Sequence, residues 1–249
     1  MKIAVTGKGG VGKTTFSSLL AYLYAQQGQQ VLAIDADPSS CLGAALGLAV
    51  DHTLADMRDG LSAGERPASM SSAEWLALRT EEAIVESAGF DLLTMGHPEG
   101  KRCYCFVNNL IRERLDKLAR AYRHVLVDCE AGLEHLSRRT AGRPDALLCV
   151  TNRSRMGAQT IARALALYKS LHGELPAATD LVLNQYDAGE PLAAEMQALA
   201  AGGATRFRRV LVVPADPQVA GAEASGRALL ALDPATPAFA ALRAWEAPA

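Results

Sequence analysis

Gly7-Lys8-Gly9-Gly10-Val11-Gly12-Lys13-Thr14-Thr15 follows a short apolar run, Ile3-Ala4-Val5, and opens into a helical pattern; its reading decides the fold. The spacing is G-x-x-x-x-G-K-[ST]. In that pattern the glycines let successive backbone N–H groups turn inward on an anion. The lysine reaches the β- and γ-phosphates, and the threonine hydroxyl meets Mg²⁺. A helix beginning near Gly12 adds its positive end to the same place, so unpaired N–H groups and the helix dipole favour one anion together. A glycine-rich turn that binds nothing would require neither the strand before it nor the helix after it. The expectation is a nucleoside triphosphate held by Gly9, Gly10, Val11, Gly12, Lys13, Thr14 and Thr15, with Lys13 on the transferred phosphate and Thr14 on Mg²⁺.

Working outward, Phe16, Leu19, Leu20 and Leu23 have the spacing of an amphipathic helix that Gly28 is placed to end. Val31 to Ile34 is continuous in apolarity, as a strand covered on both faces would be, and it delivers Asp35-Ala36-Asp37-Pro38 to its carboxyl end. Ligands bind at that end of open α/β sheets. Further strands are expected at Phe90–Gly96, Val125–Asp128, Ala146–Val150, Leu181–Leu183 and up to Val213-Pro214, with helices from about Ala73 to Val85 and around Ile161, Leu165 and Leu167. Between Asp51 and Ala88 the pattern is weak. Strands alternating with helices predict an α/β fold with a doubly wound, mostly parallel sheet, and no linker or composition break divides residues 1–249, so one P-loop domain is expected.

The second lysine sharpens this reading. G-K-G-G-x-G-K-T-T resembles the deviant phosphate loop of the MinD/ParA/nitrogenase-iron-protein class of ATPases. The resemblance implies a homodimer in which Lys8 of one subunit touches the nucleotide of the other, offsetting charge on the phosphoryl group as an arginine finger does. It also implies that Asp37 lies in a first switch segment near the attacking water. Asp128, in Val125-Leu126-Val127-Asp128-Cys129-Glu130-Ala131-Gly132, matches the Walker B carboxylate. Asn184 would face the adenine edge, with Pro214 on the other side of the base.

Cys103-Tyr104-Cys105 places two thiols one residue apart at the start of a helical stretch through Leu110, Ile111, Leu115 and Leu118. Thiolates are soft ligands suited to Ni²⁺, Zn²⁺, Cu⁺ or an iron–sulfur cluster, and Lys101, Arg102 and the helix start favour the thiolate form. Two cysteines cannot close a four-coordinate centre. A twofold dimer supplies the other two by symmetry. With D-A-D-P-S-S-C-L-G and V-D-C-E-A-G-L-E-H-L, this C-x-C motif makes the chain similar to the CooC type of nickel-insertion ATPase, which implies an ATP-hydrolysing metallochaperone for a client nickel enzyme such as carbon monoxide dehydrogenase.

Two other classes compete. One is an iron–sulfur carrier like the nitrogenase iron protein, against which stands Ala131 near the place of that family's second-switch cysteine. The other is a positioning or partitioning switch of the MinD/ParA type that binds membrane or DNA, which usually needs a basic amphipathic tail or a DNA-binding segment. Residues 235–249 have one Arg, Trp245 and several Pro and Ala, a poor membrane helix. A net charge of −2 argues against nucleic acid, although Arg206-Phe207-Arg208-Arg209 is locally basic. With 49% hydrophobic residues, no apolar run long enough for a bilayer, no signal-peptide pattern at Met1-Lys2-Ile3 and no disulfide spacing among five cysteines, a cytoplasmic protein without a membrane partner is expected. Cys41, Cys129 and Cys149 fall in or beside predicted core elements and are expected to pack as small hydrophobes. The five histidines show no metal-ligand spacing.

Overall fold

Ile3, Ala4 and Val5 are fully buried because their strand, β1 (Lys2–Gly7), has another strand on either side and helices over both faces. The computed structural model describes residues 1–97, 105–130, 143–187, 189–202 and 206–245, with the side chains of 105–110 and 112 left aside. The other strands are β2 (Val31–Ala36), β3 (Ile84–Glu86), β4 (Phe90–Thr94), β5 (His124–Cys129), β6 (Ala146–Thr151), β7 (Ala178–Asn184) and β8 (Val210–Val213). Among the described residues they form one eight-stranded sheet in the order β3-β4-β2-β5-β1-β6-β7-β8. Every pairing is parallel except β3 with β4. This is the doubly wound, mostly parallel architecture expected from the alternating pattern.

Alternation along β1 divides the core. Ile3 and Val5 face a layer containing α1 (Lys13–Gln26), α8 (Pro217–Ser225) and α9 (Pro237–Ala244), while Ala4 faces the layer of α5 (Cys105–Leu118) and α6 (Arg155–His172). Helix α1 buries Phe16, Leu19, Leu20 and Leu23, the stripe read from its spacing, and Gly28 follows it at φ 71°. Edge-to-face ring contacts from Phe16 to Trp245, with centroids 6.3 Å apart, and from Tyr22 to Phe239, at 5.5 Å, fasten α1 to the C-terminal segment.

The weakly patterned region contains α2 (Leu42–Leu46), α3 (Leu54–Ala63) and α4 (Ser72–Glu82). Capping boxes start two of them: Thr53 with Asp56 opens α3, and Ser71 with Glu74 opens α4. The helix expected to reach Val85 stops at Glu82, because Ile84 and Val85 pair with Leu93 and Leu92. The strand expected to reach Gly96 stops at Thr94, and Gly96 takes a left-handed φ of 71°. Between β7 and α8 the chain forms α7 (Ala194–Ala200) and then β8. The Arg206–Arg209 run is partly internal: Phe207 is buried, and Arg208 makes a two-pronged ion pair with the fully buried Asp180, which also accepts a hydrogen bond from Trp245 Nε1. Among the described residues no helix is long and apolar enough to cross a membrane.

One cysteine departs from expectation. Cys129 and Cys149 are buried, and burial pushes both thiols up, but Cys41 is exposed just before α2, its Sγ 3.5 Å from Ser39 O. The Asp-Pro turn that ends β2 carries the chain out of the core there, so the residue cannot pack as a small hydrophobe.

Candidate nucleotide site

The loop joining β1 to α1 lies at the carboxyl end of the sheet and is shaped by its glycines. A Cβ on Gly7 would stand 2.0 Å from Val150 O of β6, so only glycine lets the loop leave the sheet there. Gly12 has φ 86°, and a Cβ on it would meet Asn184 Nδ2 at 2.3 Å. Asn184, buried at the end of β7, donates through Nδ2 to Val11 O at 2.8 Å. The residue assigned to base recognition therefore also pins the phosphate loop. Lys13 is 7% exposed, and its ammonium donates back to Lys8 O at 3.4 Å.

Behind the loop stands Asp128. Thr14 Oγ1 donates to its Oδ2 at 2.7 Å and Ser17 Oγ to its Oδ1 at 3.1 Å. Burial raises its carboxyl to about 6, while those two hydrogen bonds and the Lys13 charge pull the other way. Asp35 is its register partner on the neighbouring strand. Asp35 is wholly buried and accepts from Leu42 N at 2.8 Å and Asp37 N at 3.1 Å, so it ties both ends of the 37–42 turn to the sheet. Burial lifts it to about 7, with Asp128 and Asp37 adding to the rise. Asp37 Oδ1 accepts from Ser39 N at 2.9 Å and Ser39 Oγ at 2.6 Å, which fixes the direction of the carboxylate on the cavity wall. The Thr14 hydroxyl and the Asp37 and Asp128 carboxylates form an all-oxygen donor set, which fits a hard divalent cation such as Mg²⁺.

Two adjoining cavities open along the loop. One, of about 560 Å³, is walled by Gly9, Gly10, Gly12, Lys13, Thr14 and Asp37 among others; the second, of about 520 Å³, by Phe16, Asn184, Val213, Pro214 and neighbouring residues. Thr15 and Gln185 border both. A polyphosphate suits the first, rich in backbone N–H groups, and a flat base suits the second, with apolar walls and a few polar groups. Gln185, at the seam, has φ 52°, an uncommon conformation for a residue with a side chain.

Of the residues singled out by sequence, Gly9, Gly10, Gly12, Lys13, Thr14, Thr15 and Asp37 line the first cavity, and Asn184 and Pro214 the second. Val11 is buried beneath the loop, offering its carbonyl to Asn184; Asp128 is buried behind Thr14, and Lys8 is partly buried on the loop itself. Cys103 and residues 131–142, with Ala131 and Gly132, lie outside the described residues, as does the side chain of Cys105, the first residue of α5. Among the described residues no group of three or more His, Cys, Asp or Glu side chains is placed to hold a metal ion. Sequence reading passed over Asp35, Cys41, Glu130 and Glu223. Cys41, Glu130 and Glu223 line the first cavity. The alternation of Asp35 with Asp37 was the available signal for the first; Cys41 and Glu130 stand inside the stretches D-A-D-P-S-S-C-L-G and V-D-C-E-A-G-L-E-H-L, whereas Glu223 belongs to no motif.

Comparison with known proteins agrees with this geometry. The family model described as the CobQ/CobB/MinD/ParA nucleotide binding domain matches residues 2–230. The chain is 44% identical over 175 residues to an uncharacterised ATP-binding protein of Methanocaldococcus jannaschii, covering 69% of each chain. It is 36% identical over 184 residues to the carbon monoxide dehydrogenase accessory protein CooC of Rhodospirillum rubrum, covering 69% of this chain and 70% of that one. Among solved structures, the septum site-determining protein MinD of Pyrococcus horikoshii, complexed with Mg-ADP, superposes with a TM-score of 0.69 at 21% identity, over 96% of this chain and 91% of that one. At that identity the likeness speaks for the fold.

Proposed function

Because the chain belongs to the family of CobQ/CobB/MinD/ParA nucleotide-binding domains, we propose that residues 1–249 act as one Mg²⁺-dependent ATPase whose cycle loads nickel into a client enzyme such as carbon monoxide dehydrogenase. The observation that carries the ATPase reading is the Thr14–Asp128 hydrogen bond beneath a fully formed phosphate loop. In a nucleotide complex Thr14, with Asp37 and Asp128 behind it, would hold Mg²⁺, which neutralises phosphate charge. Lys13 meets the terminal phosphates. Asp37, aimed by Ser39, orients the attacking water by accepting its hydrogen bond. Asn184 and Pro214 receive the adenine. Lys8 of a second copy completes the charge at the γ-phosphate.

Support for the nickel cargo is the 36% identity to CooC together with Cys103-Tyr104-Cys105. The fold adds a spatial reason: β4 ends and α5 begins at the end of the sheet that carries the phosphate loop. Two chains meeting at that end would pool four thiolates, with Ni²⁺ or Zn²⁺ as cargo rather than catalyst. The test is ATP turnover and metal content of the whole protein. Asp37→Asn should keep nucleotide binding and lose hydrolysis, and Lys13→Ala should weaken binding itself. The parent should carry one Ni²⁺ or Zn²⁺ per two chains, lost in Cys103→Ser with ATPase activity retained. Turnover without any thiol-bound metal would leave the ATPase standing and overturn the nickel role, in favour of a positioning ATPase like MinD.

A further inference from the structure

We infer that Ser17 is a positioning residue for Mg²⁺: its hydroxyl fixes the Asp128 carboxylate, so that the gain in nucleotide affinity brought by magnesium depends on Ser17. This rests on the nucleotide-binding reading above. Along α1 the buried positions are apolar at Phe16, Leu19, Leu20 and Leu23, yet Ser17 and Ser18 between them are wholly buried too. A buried hydroxyl needs a partner, and in a helix the ready one is the carbonyl four residues back. Ser18 takes it, donating to Thr14 O at 2.8 Å. Ser17 instead reaches out of the helix to Asp128 Oδ1 on β5, 3.1 Å away. Alanine would suit the helix better and would leave that oxygen without this donor.

Two hydroxyls from one helix face thus grip the two oxygens of a single carboxylate. Thr14 and Ser17 are three residues apart, hence neighbours on α1, and Thr14 Oγ1 holds Oδ2 at 2.7 Å. Asp128 shares its face of β5 with Leu126, which packs in the α1 layer, and is itself 1% exposed. The two holds differ in what a cation does to them. Thr14 borders the phosphate cavity, and the threonine hydroxyl of this loop type is itself a metal donor, so its hold on Oδ2 is remade when Mg²⁺ arrives. Ser17 is sealed from water, and its bond to Oδ1 stands with or without metal. A carboxylate offers about four lone-pair sites, so Asp128 keeps acceptor capacity toward the metal's shell with both hydroxyls in place. A group already fixed in one attitude loses little freedom on meeting the metal, and supporting partners of this kind carry roughly 10- to 100-fold in metal affinity.

The experiment measures dissociation constants of ADP, which the reaction does not consume, with EDTA and with saturating Mg²⁺, for the whole protein, Ser17→Ala and Ser18→Ala. Both substitutions remove one oxygen from a wholly buried residue on the same helical turn, so they differ in the bond to Asp128. The parent should bind ADP more tightly with Mg²⁺ than with EDTA. In Ser17→Ala the EDTA constant should stay within about twofold of the parent's, which also reports an intact loop, while the Mg²⁺ constant weakens roughly tenfold or more. Ser18→Ala should keep the parent's response to Mg²⁺. A Ser17→Ala protein with that same response overturns the inference, and so does one that loses affinity equally in EDTA and in Mg²⁺, since Ser17 would then shape the loop alone. Equal loss of the Mg²⁺ response in both serine variants overturns it too, by tracing the effect to helix packing. A parent whose ADP affinity ignores Mg²⁺ would overturn the Mg²⁺ reading of the site and this inference with it, and failure of ADP to bind at all would overturn the nucleotide reading.

Discussion

His124 sits at the far end of the strand that carries Asp128, and its ring lies flat on Tyr24 of α1, centroids 4.2 Å apart and planes within 7°. Helix α1 is thereby fastened to β5 twice, by this stack and by the Thr14 and Ser17 bonds to Asp128. Burial, then the Met1 ammonium and Arg123, lower His124 to about 4. Its Nε2 is engaged with Gln29 Oε1, and its buried Nδ1 finds no acceptor. The folded state therefore holds this imidazole neutral, while the unfolded chain protonates it near its usual 6.5. Its contribution to stability is complete above about pH 6.5 and is lost as pH falls from there through about 4. Unfolding midpoints measured from pH 7 to 4.5 should drop less steeply in His124→Phe, which keeps a ring over Tyr24, than in the parent; parallel profiles would remove His124 from the account. Single residues divide sharply in how far sequence revealed them. Lys13, Thr14 and Asp37 were legible because phosphate chemistry demands fixed residue types at fixed spacing. Glu223 was not, since it meets the loop only after more of the chain folds back, and one Glu in a sequence carries no spacing to read; Cys41, within D-A-D-P-S-S-C-L-G, was read as a packing residue and stands instead exposed on the cavity wall. Asn184 was read for the base alone, because its bond to Val11 O joins residues far apart in the chain.

Asp216 shows at the level of elements how the nucleotide cavity depends on helix starts. Its carboxylate caps α8 by accepting from Gln218 N and Val219 N, and its other oxygen accepts from Ala238 N in the first turn of α9. One buried side chain thus aims α8, with Glu223, at the phosphate loop and seats α9, with Phe239, on Tyr22. Asp216→Ala removes a cap and orphans a buried amide, a loss of about 2–4 kcal/mol from those two effects. Denaturant unfolding should show it, whereas Thr53→Ala, at the exposed cap of α3, should cost about 1 kcal/mol; equal losses would mean that Asp216 joins nothing. The central strands were legible because burial on both faces leaves an unbroken apolar run, as in Val31–Ile34 and Ala146–Val150. The periphery was not. In the three-residue β3, Ile84 and Val85 are only half-buried, Glu86 is exposed and the pairing is antiparallel, so neither period nor apolarity marks it. Helices α2 and α7 are five and seven residues long, too short for a periodic stripe to emerge.

At the scale of the whole molecule, the phosphate loop presents its second lysine at the same end of the sheet as the 37–42 turn and the start of α5. One face would then have to serve nucleotide, partner and cargo together. If Lys8 works within its own chain, each protomer is a complete catalyst and dimerisation adds nothing to hydrolysis. If it works across the interface, each site is assembled from one chain's Asp37 and the other chain's Lys8, and turnover cannot occur before two copies meet. Mixing separates these cases. Lys8→Ala and Asp37→Asn chains should each be nearly inactive alone, the first lacking the charge that offsets the phosphoryl group and the second the group that orients water. In a heterodimer of the two, the site on the Lys8→Ala chain keeps its own Asp37 and receives an intact Lys8 from its partner, so one of the two sites is whole. The other carries both defects. Activity should therefore return on mixing and rise with the fraction of heterodimer, measured by ATP turnover across a titration of one chain into the other. A lysine acting in its own chain leaves both sites broken in every combination. Heterodimers demonstrated by differential tagging, yet as inactive as their parents, would refute the shared site and with it the reason to expect the cargo thiolates of two chains to converge when nucleotide binds.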